Sequence, residues 1–415
     1  MSKKIFFIIL FFFLLSCKKK SKEVEEIPKD FNNIDVSGAI GFCSKYIYNA
    51  GKTYKIMEDG SMIPIQFYKD GTKAQFVYSG IRILDCSQSH LIMVVDNQKS
   101  YLINKSSGQA ELINNFNIDA DSDSEKTIFQ SDASNALYIL TEDNKVYKIQ
   151  DLFASPLNAV IVTPETDQVV NFAVDKSGNL LYSGRDLNGN RIHRLRRTNG
   201  NIENITGNHI FYSLVWLGFN DSLYYAPLQN ATLRNISRLD INTTPASLKR
   251  YYSGNDDYYN FYSNNPKSRR IKNKSRIIVS LEYLNSTDSP YYFSEIYNPT
   301  HTSNYFALSE FSLTKVYYYA CSDDYLYVAG SNNSGQKKIV KMDVDTHVSN
   351  AIYTNTDILI SYINIDRNSN VYFVGTIISN NSKVVGRIDN TGITKIIDED
   401  NTPYQSPTIS FLKNR

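Results

Sequence analysis

Short apolar runs of four to eight residues alternate with polar turns along almost the whole chain, and they recur with a regular period. The clearest unit is a turn of Asp, Asn, Ser or Gly followed by an aromatic and aliphatic run. It reads VDKSGNLLYSG at 174–184, SDASNALYIL at 131–140, FNDSLYYA at 219–226, CSDDYLYVAG at 321–330 and IDRNSNVYFVG at 365–375. Fainter copies are SKYIYNAG at 44–51, SQSHLIMVV at 87–95 and KSRIIVSL at 274–281. One aligned position gives Tyr48, Met93, Tyr138, Tyr182, Tyr224, Ile278, Tyr327 and Phe373, at steps of 45, 45, 44, 42, 54, 49 and 46 residues. Runs this short, rich in Tyr, Ile and Val and bounded by turn residues, predict strands.

A period near 45 residues with several strands per unit predicts the blades of a β-propeller. Each unit continues with an alternating strand, as in KVYKIQ (145–150), RIHRLRR (191–197), KIVKMDV (338–344) or VVGRID (384–389). Hairpin turns follow that end at Gly60, Gly108, Gly200 and Gly392, where a tight turn needs positive φ. A last short strand then runs through ELI (111–113), IENIT (202–206) or ITKIID (393–398). The expectation is an all-β propeller of about eight four-stranded blades; seven is the other count, because the sixth unit is irregular. The first unit lacks an innermost strand before Tyr46, and the orphan stretch PTISFL (407–412) is expected to supply it and close the ring. The D-x-x-G-N-L-Y turn and the hydrophobic-D-x-x-T-G hairpin resemble those of generic bacterial propellers of the NHL, YncE-like and quinoprotein-like kinds. The resemblance covers about residues 40 to 412 and implies a fold, not an activity.

The chain starts MSKKIFFIILFFFLLSC: a basic pair, Lys3 and Lys4, then 11 apolar residues from Ile5 to Leu15, then Ser16 and Cys17. That core is too short for a permanent span, which needs roughly 20 residues, and it reads as a cleaved signal. Leu14-Leu15-Ser16-Cys17 resembles a bacterial lipobox, which implies lipid attachment at Cys17. Lys18 is not the Asp that marks inner-membrane retention in enteric bacteria, so the resemblance implies an outer-membrane lipoprotein, facing the periplasm or the exterior. The expected organisation is signal peptide 1–16, lipidated N-terminus and charged tether 17–38, and propeller 39–415. The tether, KKKSKEVEEIPKDFNN, has too little apolar surface to order itself.

With Lys3 and Lys4 removed, 42 basic residues face 42 acidic ones, so no global field recruits nucleic acid. The densest local charge is Lys267, Arg269, Arg270, Lys272, Lys274 and Arg276, in the 54-residue step. It reads as an enlarged loop and is the candidate site for a polyanion, against a plain solvated loop. Asp119, Asp121, Asp123 and Glu125 alternate, as do Asp186, Asn188 and Asn190, like the start of a calcium loop. The closing carboxylate is missing, since Gln130 and Arg197 stand there, so polar turns are expected and structural calcium is the alternative; no other metal or cofactor is expected. Asn- and Ser-rich loops (228–235, 284–290, 331–336, 378–382) with Tyr251, Tyr252, Tyr258 and Tyr259 nearby suit a sugar. Cys43, Cys86 and Cys321 are read as thiols, a Cys43–Cys86 bridge being the alternative. The five histidines (His90, His193, His209, His301, His347) show no metal-ligand spacing, no G-x-S-x-G elbow occurs, and Trp216 is the lone tryptophan. The expected function is a non-enzymatic binding or scaffolding module for a protein or glycan partner, monomeric and membrane-held by its lipid. The alternative is a glycan- or lactone-hydrolysing enzyme with its site at the central channel.

Overall fold

The computed structural model describes residues 30–412 except 46–51, 77–80, 96–98, 114–128, 206–210, 218–222, 230–232, 235–236, 241–245, 251–267, 272–275, 283–290, 298–302 and 401–406. For strands between 211 and 306 the backbone alone is described, Ile278 excepted. Cys17 and the first 29 residues thus lie outside the described residues, as do Asp119, Asp121, Asp123, Glu125 and the four tyrosines at 251–259.

Eight antiparallel sheets with a four-strand path follow one another, and together they form a β-propeller. From blade 1 to blade 8 the first strands are Thr408–Phe411, Ile81–Asp85, Phe129–Ser131, Gln168–Val174, Phe211–Leu217, Ser268–Ile271, Lys315–Cys321 and Ile358–Ile365. The second strands are Gly41–Lys45, His90–Val95, Leu137–Leu140, Leu180–Arg185, Leu223–Gln229, Arg276–Glu282, Tyr325–Ser331 and Val371–Ile377. First strands touch one another between blades 1 and 2, 3 and 4, 4 and 5, 6 and 7, 7 and 8, and 8 and 1, which places them around the axis. Fourth strands form the outer wall and leave Ile63, Leu112, Val160, Ile202, Val348 and Ile396 exposed.

The aromatic and aliphatic runs are second strands, and their lack of polar alternation has a direct cause. Successive side chains point to opposite faces of the sheet, and here each face meets another blade. Leu91, Met93 and Val95 cluster with Phe42 of blade 1, whereas Ile92 and Val94 cluster with Leu137 and Ile139 of blade 3. In blade 8, Tyr372 and Val374 meet Ile409 and Phe411 of blade 1, while Val371 and Phe373 meet Tyr327 and Ala329 of blade 7. A strand buried on both faces reads as a continuous apolar run.

Turn chemistry supplies the register. Asp366 accepts hydrogen bonds from the backbone N–H groups of Asn368 and Asn370, both at 2.9 Å. Asp389 does the same for Thr391 at 3.0 Å and Ile393 at 2.9 Å, and Gly392 at φ 90° completes the hairpin. These short polar side chains take up N–H groups that a tight turn leaves unpaired.

The last strand closes the ring as expected, since Thr408–Phe411 pairs with Gly41–Lys45. Its partner lies earlier than the repeat alignment implied: in the first unit the second strand is GFCSK, and Tyr48 falls outside the described residues. The boundary of the tether also moves. Residues 31 to 38 belong to the folded domain, because Phe31 and Ile34 are 4% and 1% exposed. Asn33–Ile34 pairs with Phe67–Lys69, which pairs with Thr72–Ala74, and Phe31 packs edge-on to Phe67 and Phe76 with ring centroids 5.1 and 4.6 Å apart. Phe31, Ile34 and Val36 are the apolar residues of this otherwise polar segment, and all three join the same cluster.

Candidate binding site at the channel mouth

In blades 3 to 8 each first strand follows the fourth strand of the preceding blade and leads on to the second. Ile81–Asp85 follows Thr72–Ala74, and Thr408–Phe411 follows the fourth strand of blade 8. All eight nonetheless pair antiparallel with their second strands and run in one direction along the axis. Near their starts, four of them slip register: between Val169 and Asn171, Phe211 and Val215, Val316 and Tyr318, and Ile360 and Tyr362. In blades 4, 7 and 8 a glycine stands opposite the bulge, at Gly184, Gly330 and Gly375. A Cβ on Gly330 would lie 2.1 Å from the Lys315 carbonyl oxygen, and one on Gly184 2.0 Å from that of Gln168. The glycines that end LYSG, YVAG and YFVG in the repeat are therefore there to let the bulged strand approach. A bulge bends its strand and re-aims a side chain; here the extra residues are Val170, Tyr317 and Ser361, and the exposed Ser361 donates its hydroxyl to the Val374 carbonyl at 3.2 Å.

Blades 7, 8 and 1 build a polar and aromatic wall that runs from the bulges toward the hairpin end of the channel. The Tyr318 and Tyr362 rings lie 4.7 Å apart at 53°. The Tyr362 hydroxyl and the Asn364 amide both donate to the Ile409 carbonyl, at 3.2 and 3.1 Å. Ser410 in turn donates to the Ile83 carbonyl of blade 2 at 2.5 Å. Tyr317 donates to Ser331 at 2.9 Å, and the Lys315 ammonium stands 5.7 Å from the Tyr317 ring centroid. These bonds satisfy the free inner edges of the first strands and hold the side chains in place.

Among all eight first strands the sequence offers a single carboxylate, Asp85. It closes its strand, is 7% exposed, and is bound by Lys105 at 2.5 Å. Glycoside hydrolysis needs a pair of carboxyl groups about 5 to 10 Å apart, and these strands carry no such pair.

The basic run is not an enlarged loop. Ser268–Ile271 is the first strand of blade 6 and carries Arg269 and Arg270, and Arg276 opens the second strand, paired with Ile271. Lys267, Lys272 and Lys274 lie outside the described residues. The extra length of that unit goes instead into a short strand, Leu233–Arg234, and into residues 251–267. Asp186, Asn188 and Asn190 form a hairpin tip. The Asp186 carboxylate accepts from the Asn190 side-chain amide at 3.1 Å and from the N–H groups of Asn190 and Asn188 at 2.8 and 2.9 Å, which together hold it below the usual carboxylate range, and Gly189 has φ 77°. No group of three or more His, Cys, Asp or Glu suited to a metal occurs among the described residues. Of the Asn-rich loops, 331–336 and 378–382 join second to third strands in blades 7 and 8, at the same end as the bulges.

Cys43, Cys86 and Cys321 are free thiols. Burial pushes the Cys43 thiol up to about 12, so it is an inert core group. His90 and His193 are neutral for the same reason: burial, with Lys105 and Arg191 respectively adding repulsion, takes them down to about 4 and about 3. His90 accepts or donates at Ser89 Oγ (2.8 Å) and lies edge-on to Phe153, within a turn that Asn135 of blade 3 braces through Ser89 at 2.9 Å.

No protein family matches the chain, and no curated protein does. Solved structures do resemble it. Dihydro-heme d1 dehydrogenase NirN superposes with a TM-score of 0.55 at 9% identity, over 92% of this chain and 76% of that one. AztD from Citrobacter koseri gives 0.52 at 11% identity, over 89% of this chain and 96% of that one. Puromycin hydrolase gives 0.49 at 9% identity over 78% of this chain, which spans about half the length of that protein. At such identities the likeness is one of fold.

Proposed function

We propose that the protein is an envelope lipoprotein, anchored through lipid on Cys17, whose ring is a non-enzymatic binding module for a protein or glycan partner. The partner would meet the channel wall, where blades 7 and 8 carry Tyr317, Tyr318, Ser361, Tyr362 and Asn364 along their first strands. One observation carries the reading: the first strands supply hydroxyl, amide and aromatic groups, and their one carboxylate is ion-paired. Such groups bind by hydrogen bonding and stacking; they do not furnish the acid and base that the hydrolytic alternative requires.

The full-length protein, expressed in a bacterium and extracted in detergent, tests both halves. Mass spectrometry should find an acylated N-terminal Cys17, lost in Cys17→Ser. Affinity capture and a glycan array should recover a partner that Tyr362→Ala with Asn364→Ala releases. Turnover of a glycan or lactone at the channel would overturn the reading.

A further inference from the structure

Blade 7 lines up two lysines with no carboxylate in register between or beside them. Lys315 stands opposite Ser331, Ser331 opposite Lys337, and Lys337 opposite Asn355, a row across all four strands. Lys315 and Lys337 open their strands while Ser331 and Asn355 end theirs, so the row lies at the bulge end of the blade. Residues directly opposite one another share a face of the sheet. Two positions further in, that face carries Ala329 and Ile339, which cluster with Ile360 and Phe373 of blade 8, and Tyr353, which stacks on Phe373 at 5.0 Å. The row therefore rims the junction of blades 7 and 8. Adjacent strands lie about 4.8 Å apart, which sets the two lysine Cα atoms about 10 Å apart, and their four-carbon stems can close on one group between them.

Each member of the row keeps donor capacity to spare. Lys315 is exposed and lies over the Tyr317 ring, Lys337 is half-buried, and among the described residues neither pairs with a carboxylate. Asp357, the acid nearest along the chain, accepts instead from the Ser379 N–H and hydroxyl at 3.0 and 2.8 Å. Ser331 accepts from Tyr317 at 2.9 Å, which leaves its own hydrogen to donate. The Ile358 N–H donates to Asn355 Oδ1, which fixes the amide, and Asn355 Nδ2 is a buried donor without a partner among the described residues. A buried donor is costly until something accepts from it. Blade 8 shows the contrast, since its Lys383 stands opposite Asp400 and donates to Thr376 at 2.8 Å.

We propose that this row binds a phosphate monoester. Two ammonium groups match its charge of about −1.5 to −2 at neutral pH, and Ser331 and Asn355 donate to its remaining oxygens. A carboxylate or a phosphodiester brings a single charge and leaves one lysine unmatched. The site goes beyond the binding-module reading, since a partner held through Tyr362 and Asn364 neither needs it nor excludes it.

Calorimetric titration of the full-length protein in a non-ionic detergent, with glycerol 3-phosphate, glycerophosphocholine and acetate at matched ionic strength, tests it. Glycerol 3-phosphate is expected to bind at least about tenfold more tightly than the diester or the carboxylate. Its affinity should fall as salt rises, and again as pH drops below about 6, where the monoester takes up a proton. Lys315→Gln and Lys337→Gln should each weaken binding at least about fivefold, and Lys337→Arg, which keeps the charge, should hold it within about threefold. Lys395→Gln, exposed on the outer wall of blade 8, should leave it unchanged. Broadening of the ester's phosphorus NMR signal by the protein, lost with either glutamine variant, gives a second readout. Equal affinity for the three ligands, no binding of glycerol 3-phosphate, or binding indifferent to both glutamine variants would overturn the inference. Capture of a partner alongside such a result would leave the binding-module reading standing, so the two fail separately.

Discussion

The interface between blades 3 and 4 and the seam between blades 8 and 1 perform the same task with different materials. Blades 3 and 4 are joined through their connecting chain, and their cluster is Tyr138, Leu140 and Val146 against Val169, Phe172, Val174 and Tyr182. One polar knot accompanies it: Asp167, fully buried, accepts from Tyr182 at 2.8 Å and takes both its oxygens to Arg194 at 2.7 and 2.6 Å. The seam unites residues more than 300 positions apart. It has a comparable cluster, but adds a strand from the far end of the chain, Lys45 with Asp398 and Asp400, and Glu58 with Arg367 and Asn368. Closing a loop of that length instead of one near 45 residues costs about 2 kcal/mol more in entropy. The difference teaches that the seam must recover its cohesion from pairing that the neighbouring blades receive through continuity.

The largest predicted effect breaks the seam. Truncation before Thr408 removes the strand and both Ile409 and Phe411, and should abolish single-step unfolding and open blade 1 to limited proteolysis. Phe172→Ala, at a fully buried position of the continuous interface, should cost about 3–5 kcal/mol in denaturant titration while leaving unfolding cooperative. Gly330→Ala forces a Cβ against the Lys315 carbonyl and should cost about 1–3 kcal/mol, with loss of the blade 7 bulge visible in amide exchange. His90 and His193 are neutral in the fold and titrate near 6.5 when unfolded. Their stabilisation is present above that value and is lost as pH falls from about 6.5 toward 4 for His90 and toward 3 for His193. A melting series over that range should show the decline, and His193→Gln should flatten it. The smallest effect belongs to Glu58→Gln at the seam surface, where an exposed pair should leave the melting point unchanged.

Much of this architecture was legible because each blade repeats one solution. The paired burial of second strands wrote continuous apolar runs into the sequence, and the turn aspartates and glycines marked register. The missing innermost strand of the first unit and the orphan PTISFL predicted the seam together. What stayed hidden depends on placement rather than pattern. Phe31 and Ile34 carry no periodicity, so their docking could not be read against a charged surrounding. Arg269 and Arg270 looked like loop residues because SRRI is a polar strand, four residues long, on the least exacting edge of its sheet. The channel wall draws its residues from blades 7, 8 and 1, which lie far apart in sequence, and no local motif assembles them.

The small sheet around Asn33–Ile34 has a mechanical meaning. Any pull that reaches the domain from its N-terminal side meets the Phe31 ring, packed on Phe67 and Phe76, and the Asn33 pairing before it reaches Gly41–Lys45, the strand that holds the seam. The load is passed sideways to blade 2, where Ile34 and Ala110 exchange hydrogen bonds with Gly108 and Asn32. The segment works as a strain relief, like the clamp that keeps tension on a cable away from its soldered joint.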